Sequence, residues 1–226
     1  MQIELMAQPA SAAAKITMQQ GESITAETGA MIAMSKGLQV QTTSKQRGGK
    51  GGMMKGLKRM FSGESFFLNH FTADADNQEL LIGPSLIGDI VQHQLSGTMV
   101  VQGSSWLASG NDIAIDTTWQ GFGSALFSGE SMFWVKCTGT GPLLLNSFGA
   151  IYPIDVDGDY VVDTGHIVAF EDSLQFKIGK SNKSWLGSFF GGEGLVCRFS
   201  GQGRLYCQTH NPPDFGKALG SKLRPR

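Results

Sequence analysis

The side chains of this sequence best suited to chemistry are four histidines, three cysteines and a run of aspartates. His70, His93, His166 and His210 have the ring nitrogens to ligate a metal or move a proton. A metal site on a β-barrel needs two histidines one residue apart and a carboxylate a few residues on, because alternate residues of a strand face one side. No His-x-His occurs, and among the four only His70 stands close to a Gly-Glu pair. The stretch DVDGDYVVD holds Asp155, Asp157, Asp159 and Asp163 at calcium-loop spacing. Such a loop needs Gly at its sixth position and Glu at its twelfth. Here Gly158 is fourth and His166 twelfth, so we read a solvated Asp-Gly turn. IGKS at 178–181 ends like a phosphate-binding loop, but Leu174 stands where that loop needs its first glycine. There is no G-x-S-x-G, C-x-x-C or H-E-x-x-H, and no G-x-G-x-x-G opening a helix. We therefore expect no enzyme, and no cofactor or metal.

The cysteines are Cys137, Cys197 and Cys207. Their odd number, and an N-terminus (MQIELMAQPASAAAKI) without a basic start and a long apolar stretch, lead us to expect no secretion signal and a reducing compartment. Cys197 and Cys207 are expected as buried thiols on neighbouring strands of a hairpin, not as a disulfide. No apolar run approaches the roughly 18 residues of a membrane-crossing helix.

The elements that must position these residues show themselves as copies. FSGESFFLNHF (61–71), FSGESMFWVKC (127–137) and FGGEGLVCRFS (190–200) are near-repeats of one phrase. Their Gly-Glu pairs, Gly63-Glu64, Gly129-Glu130 and Gly192-Glu193, are spaced by 66 and 63 residues. Other landmarks recur in the same order. A Gly turn and an apolar run open each unit: GESITAETGAMIAM from Gly21, GTMVVQGSSWLAS from Gly97 and GDYVVDTGHIVAF from Gly158. A short alternating segment follows: LQVQTT, DIAIDTT or LQFKIG. Then come a Gly-rich loop ending in Gly-Glu, a strand, a Gly turn and another strand.

Val, Ile, Phe, Thr and Trp gather in short runs of period two, as Leu174, Phe176 and Ile178 do, and Gly, Asp and Asn break them too often for helices. We expect an all-β fold, a sandwich, barrel or β-helical array. Helix is expected only near Met53–Phe61 and in the tail DFGKALGSKLRPR. The 226 residues form one compact domain of three repeats: 20–95, with a basic Gly-rich insertion at 44–60; 96–155; and 156–212. A basic tail, 213–226, follows. A unit of about 60 residues leaves open sheet edges, and stacking units covers them. Glu64, Glu130 and Glu193 are expected to be structural carboxylates that accept backbone N–H groups at the repeated turn.

The ordered pattern of ETGAMIAM, with Gly29-Ala30-Met31, then RMFSGESFF and a late GGEG resembles the altered-inheritance-of-mitochondria family of mitochondrial biogenesis proteins. The resemblance spans nearly the whole chain. It implies three tandem β-sandwich or short double-stranded β-helix repeats similar to the tryptophan RNA-binding attenuation protein (TRAP-like). It further implies a homotrimer whose nine units form a pseudo-ninefold ring. Mitochondrial members are tied to inner-membrane organisation. Without an Arg-rich leader this chain is expected to be a bacterial, cytoplasmic member, peripheral at the inner face of the membrane. The resemblance supplies no catalytic residues to carry over.

The loops before the Gly-Glu pairs are the candidate functional face. They are Gly-rich and tipped by Phe122, Leu126, Phe127, Trp185, Leu186, Phe189 and Phe190, and the first carries Lys50, Lys55, Lys58 and Arg59 with no acid among them. Equivalent loops of a repeat array emerge on one face. That face suits subunit contacts, a protein partner or an anionic membrane. Overall charge is -1, which gives no whole-molecule pull toward nucleic acid. The basic loop also lacks Tyr or Trp for base stacking. The expected function is a non-enzymatic ring-forming scaffold or membrane-associated organiser, with a small-ligand- or RNA-binding ring as the alternative.

Overall fold

The computed structural model describes residues 1–43, 67–116, 133–180 and 195–223. The chain is all-β and antiparallel. In order run β1 (Gln2–Met6), β2 (Ala13–Met18), β3 (Ser23–Glu27), β4 (Met31–Met34), β5 (Leu38–Thr43), β6 (Leu68–Ala73), β7 (Gln78–Ile82) and β8 (Ile90–Gln102). Then come β9 (Trp106–Gly110), β10 (Ile113–Asp116), β11 (Trp134–Asn146), β12 (Ile151–Asp163), β13 (Ile167–Glu171), β14 (Gln175–Lys180), β15 (Leu195–Gln208) and the α-helix α1 (Pro212–Gly220). A four-stranded sheet has the order β1-β2-β7-β4. A larger sheet runs β12-β15-β13-β8-β11-β9-β3-β6-β5, with β10 also on β11 and β14 also on β15.

Alternation makes the strands. In β2, Ala14, Ile16 and Met18 are buried while Ala13, Lys15 and Thr17 are not, the pattern of a strand with one face on a core. Ile16 and Met18 (β2) with Leu80 and Ile82 (β7) meet Ile24 and Phe71 of the larger sheet in one core cluster. Met99, Trp106, Val135 and Leu143 centre a second, and Phe170, Phe199, Leu205 and Cys197 a third.

The Gly turns expected inside the later units are not turns. β8, β11, β12 and β15 run through them as continuous strands of 13 or 14 residues. Gly97 pairs with Gly139 and Gly158 with Gly201, all at positive φ. Glycine lets each strand bend there without losing its ladder. The bend separates two partners: β11 pairs β10 through Lys136–Gly139 and β9 through Leu143–Leu145. The aspartate run likewise lies within β12, where Asp155 pairs with Arg204 and Asp157 accepts from Gln202. IGK at 178–180 is strand, not a phosphate-cradling loop.

The helix expected in the tail is α1. Asn211 caps it by accepting from the Asp214 N–H, and prolines fill its first two positions. Phe215 meets Phe148 with ring centroids 5.1 Å apart. The segment Met53–Phe61 lies outside the described residues.

Candidate functional site

Glu64, Glu130 and Glu193, the basic Lys50, Lys55, Lys58 and Arg59, and the apolar Phe122, Leu126, Phe127, Trp185, Leu186, Phe189 and Phe190 all lie outside the described residues. The strands that carry them are described. Thr43 pairs with Leu68 in β5–β6, Asp116 with Lys136 in β10–β11, and Lys180 with Leu195 in β14–β15. Each candidate loop therefore joins a short strand to the antiparallel strand beside it.

The root of the first loop is polar. Thr25, Glu27, His70 and Thr43 share one face of β3, β6 and β5 by strand alternation. His70 Nδ1 lies 2.8 Å from Thr25 Oγ1 and its Nε2 2.9 Å from Thr43 Oγ1. Both ring nitrogens are engaged, so neither is presented to a metal. Burial pushes the Glu27 carboxyl up to about 7. Glu27 was not singled out by any motif, because its burial comes from strands distant in sequence.

Two grooves open where strands of separate hairpins meet. One, of about 410 Å³, is lined by Gly21, Glu22, Asn111, Asp112, Gln92 and Gln94. The other, of about 560 Å³, is lined by His93, Ser96, Thr98, Glu171 and Asp172. His93 Nδ1 stands 3.0 Å from the Tyr206 hydroxyl. Burial first, then the Arg204 charge, lowers the His93 pKa against the pull of Glu171. Burial raises that of Tyr206, against its hydrogen bond with Arg204. Arg204 donates through Nε to Asp155 and through its backbone N–H to Glu171. His93, half-buried, lines this groove with the Glu171 and Asp172 carboxylates, and together they are able to hydrogen-bond a small polar molecule.

The remaining chemistry-bearing residues stay apart. His166 Nδ1 lies 2.8 Å from the Gln208 carbonyl, and the His210 ring packs tilted against Phe148 with centroids 5.1 Å apart. Among the described residues no group of three or more His, Cys, Asp or Glu side chains is placed to hold a metal ion. Cys197 and Cys207 are not on neighbouring strands but on one strand, β15, ten positions apart, or about 33 Å along a straight strand. They and Cys137 are buried thiols, each pushed up to about 12 by burial.

The model of the family described as mitochondrial biogenesis AIM24 matches residues 3–210. Over 210 residues the chain is 30% identical to a Streptococcus pyogenes serotype M6 protein named Uncharacterized protein M6_Spy0233, which covers 91% of this chain and 84% of that protein. The crystal structure of Protein SPYM3_0169 from Streptococcus pyogenes matches with a TM-score of 0.80 at 26% identity, over 98% of this chain and 99% of that one. These relatives are bacterial.

Proposed function

We propose a function for this chain from the premise that it belongs to the mitochondrial biogenesis AIM24 family. It is a non-enzymatic scaffold of three tandem units, TRAP-like in build, that assembles as a homotrimer with nine units in a pseudo-ninefold ring. Its Gly-rich loops dock on an anionic membrane surface or a protein partner, from the cytoplasmic side. The observation that carries this reading is the recurrence of one pairing scheme around the three loops. β8, β9, β10 and β11 pair among themselves as β12, β13, β14 and β15 do. In the first stretch β2 and β3 stand for the long opening strand, β4 and β5 for the short ones, and β6 and β7 for the long closing strand. A register shift recurs in β4 at Met31/Ala33 and in β13 at Ile167/Ala169, and Leu107 is skipped in the same way. The scheme supports units that begin at β2, β8 and β12.

The charge distribution supports a membrane surface. Lys45, Arg47, Lys50, Lys55, Lys58 and Arg59 are six of the 18 basic residues, leaving 12 against 19 acidic residues elsewhere. Each basic residue near an anionic leaflet contributes about 1 kcal/mol, and salt screens it. Among the described residues no helix is long and apolar enough to cross a membrane. Purified protein should float with anionic but not neutral vesicles at low salt. Neutralising Lys50, Lys55, Lys58 and Arg59 together should abolish flotation. No flotation under any condition removes the lipid reading and leaves the loops to protein partners.

One observation favours a second reading, a small-ligand-binding ring: His93, held by the Tyr206 hydroxyl behind it, lines the larger groove beside Glu171 and Asp172. Native mass spectrometry after gentle purification should then show a stoichiometric added mass.

A further inference from the structure

Two strand joins link the units inside the chain. β3 pairs antiparallel with β9: Ile24 with Gly110, Thr25 with Ser109, Ala26 with Ala108. The last residues of β8 pair with β13: Met99 with Glu171, Val100 with Phe170, Val101 with Ala169. The two joins share one register. In each, the alanine after the skipped residue of β9 or β13 meets the residue just before the last of β3 or β8. Asp172 N–H continues the second join by donating to the Thr98 carbonyl at 3.3 Å. The side chains at both joins are buried except that of Glu171, which is half-buried.

The same two half-joins occur once more without each other. β12 ends at Asp163 as β3 ends at Glu27 and β8 at Gln102, each followed by a three-residue turn. Among the described strands β12 pairs with β15 alone, and β4 pairs with β7 alone. Each stands at one end of its sheet. Each carries uncovered apolar residues: Ile32 is 58% exposed where Leu107 and Val168 are 0%, and Val161 is 51% exposed where Val100 is 0%. Met31, Met34 and Tyr160 are exposed as well.

We propose that β4 of one copy pairs antiparallel with the C-terminal half of β12 of a second copy, in the register of the two internal joins. Ala33 then faces Val162, Met34 faces Val161 and Ser35 faces Tyr160. One step further Lys36 faces Asp159, so the charges at the end of the join are complementary. The proposal rests on the three-unit homo-oligomer reading above and adds its surface and register. Every copy offers both edges, so the contact is head-to-tail and propagates until it closes into a ring. It also covers the edges that a sheet leaves open to aggregation.

Cysteines placed opposite each other test the register. Directly opposed residues of an antiparallel pair have Cα atoms about 4.5–5.5 Å apart, within disulfide reach. A slip of one residue turns the partner to the other face. The full chain carrying Met34→Cys and Val161→Cys, mildly oxidised, should run as covalent oligomers on a non-reducing gel. The chain carrying Met34→Cys and Tyr160→Cys should stay largely uncrosslinked. The native thiols are buried and do not compete. Val161→Arg, at an exposed position, should sediment as a monomer with an unchanged far-ultraviolet circular dichroism spectrum. A wild-type oligomer that gives no in-register crosslink, or equal crosslinking in both variants, overturns this join while the ring reading stands. A wild-type monomer at every concentration overturns both.

Discussion

Glu27 carries a carboxyl where its charge is poorly solvated, with its pKa raised from 4.5 to about 7. The residues at the same point of the later turns hold hydrogen bonds instead. Gln102 Oε1 accepts from Ser105, and Asp163 Oδ1 accepts from the Gly165 N–H. The pH effect has a definite sign. Between about 4.5 and about 7 the folded chain keeps a proton that the unfolded chain has lost. Stability from this group is therefore full below the unfolded pKa, falls as pH rises through that window, and is lost above it. Glu27→Gln removes the cost of burying the charge. It should raise stability by roughly 1–3 kcal/mol at about pH 8 and leave it unchanged at about pH 4. Urea denaturation at the two pH values measures this, and equal effects at both would rule out the charge as the cause. No motif marks Glu27 in the sequence. His70 is visible there as a histidine near a Gly-Glu pair, but its threonine clamp depends on residues 45 and 27 positions away.

At the scale of the element, the glycine pairs decide how the long strands run. Gly139 has φ +145°, and a Cβ there would lie 2.1 Å from the Asp112 carbonyl oxygen. Gly97, its partner, has φ +123° but nothing within 4 Å of a Cβ. Gly139→Ala meets both backbone strain and a clash with backbone, whereas Gly97→Ala meets strain alone. We expect losses of about 3 kcal/mol or more and about 1–2 kcal/mol respectively, read from denaturation midpoints. Equal losses would show that strain alone governs both positions. The sequence marks these glycines as breaks, and local propensity reads a Gly between two apolar runs as a turn. The ladder with β8 continues across the glycine, and only that pairing shows a bend within one strand.

At the scale of the whole molecule, a single chain leaves Met31, Ile32, Met34, Tyr160 and Val161 in water at the two ends of its sheets. Fully burying such side chains contributes about 1.5–3 kcal/mol each. If copies cover these edges for one another, stability depends on concentration. The melting temperature should then rise between protein concentrations roughly tenfold apart, and an unchanged value would mark a monomer. The strands themselves are legible in the sequence because alternation is local: LQVQTT coincides with β5, and LQFKIG falls on β14 but for Leu174. The order of landmarks is legible for the same reason. Adjacency is not. His93 and Tyr206 meet across 113 positions, and β13 lies on β8 although β9, β10, β11 and β12 intervene in sequence. Periodicity says which face of a strand turns inward but is silent on which strand comes to lie beside it. The grooves between hairpins and the uncovered edges of β4 and β12 therefore appear only when the backbone ladders are assembled.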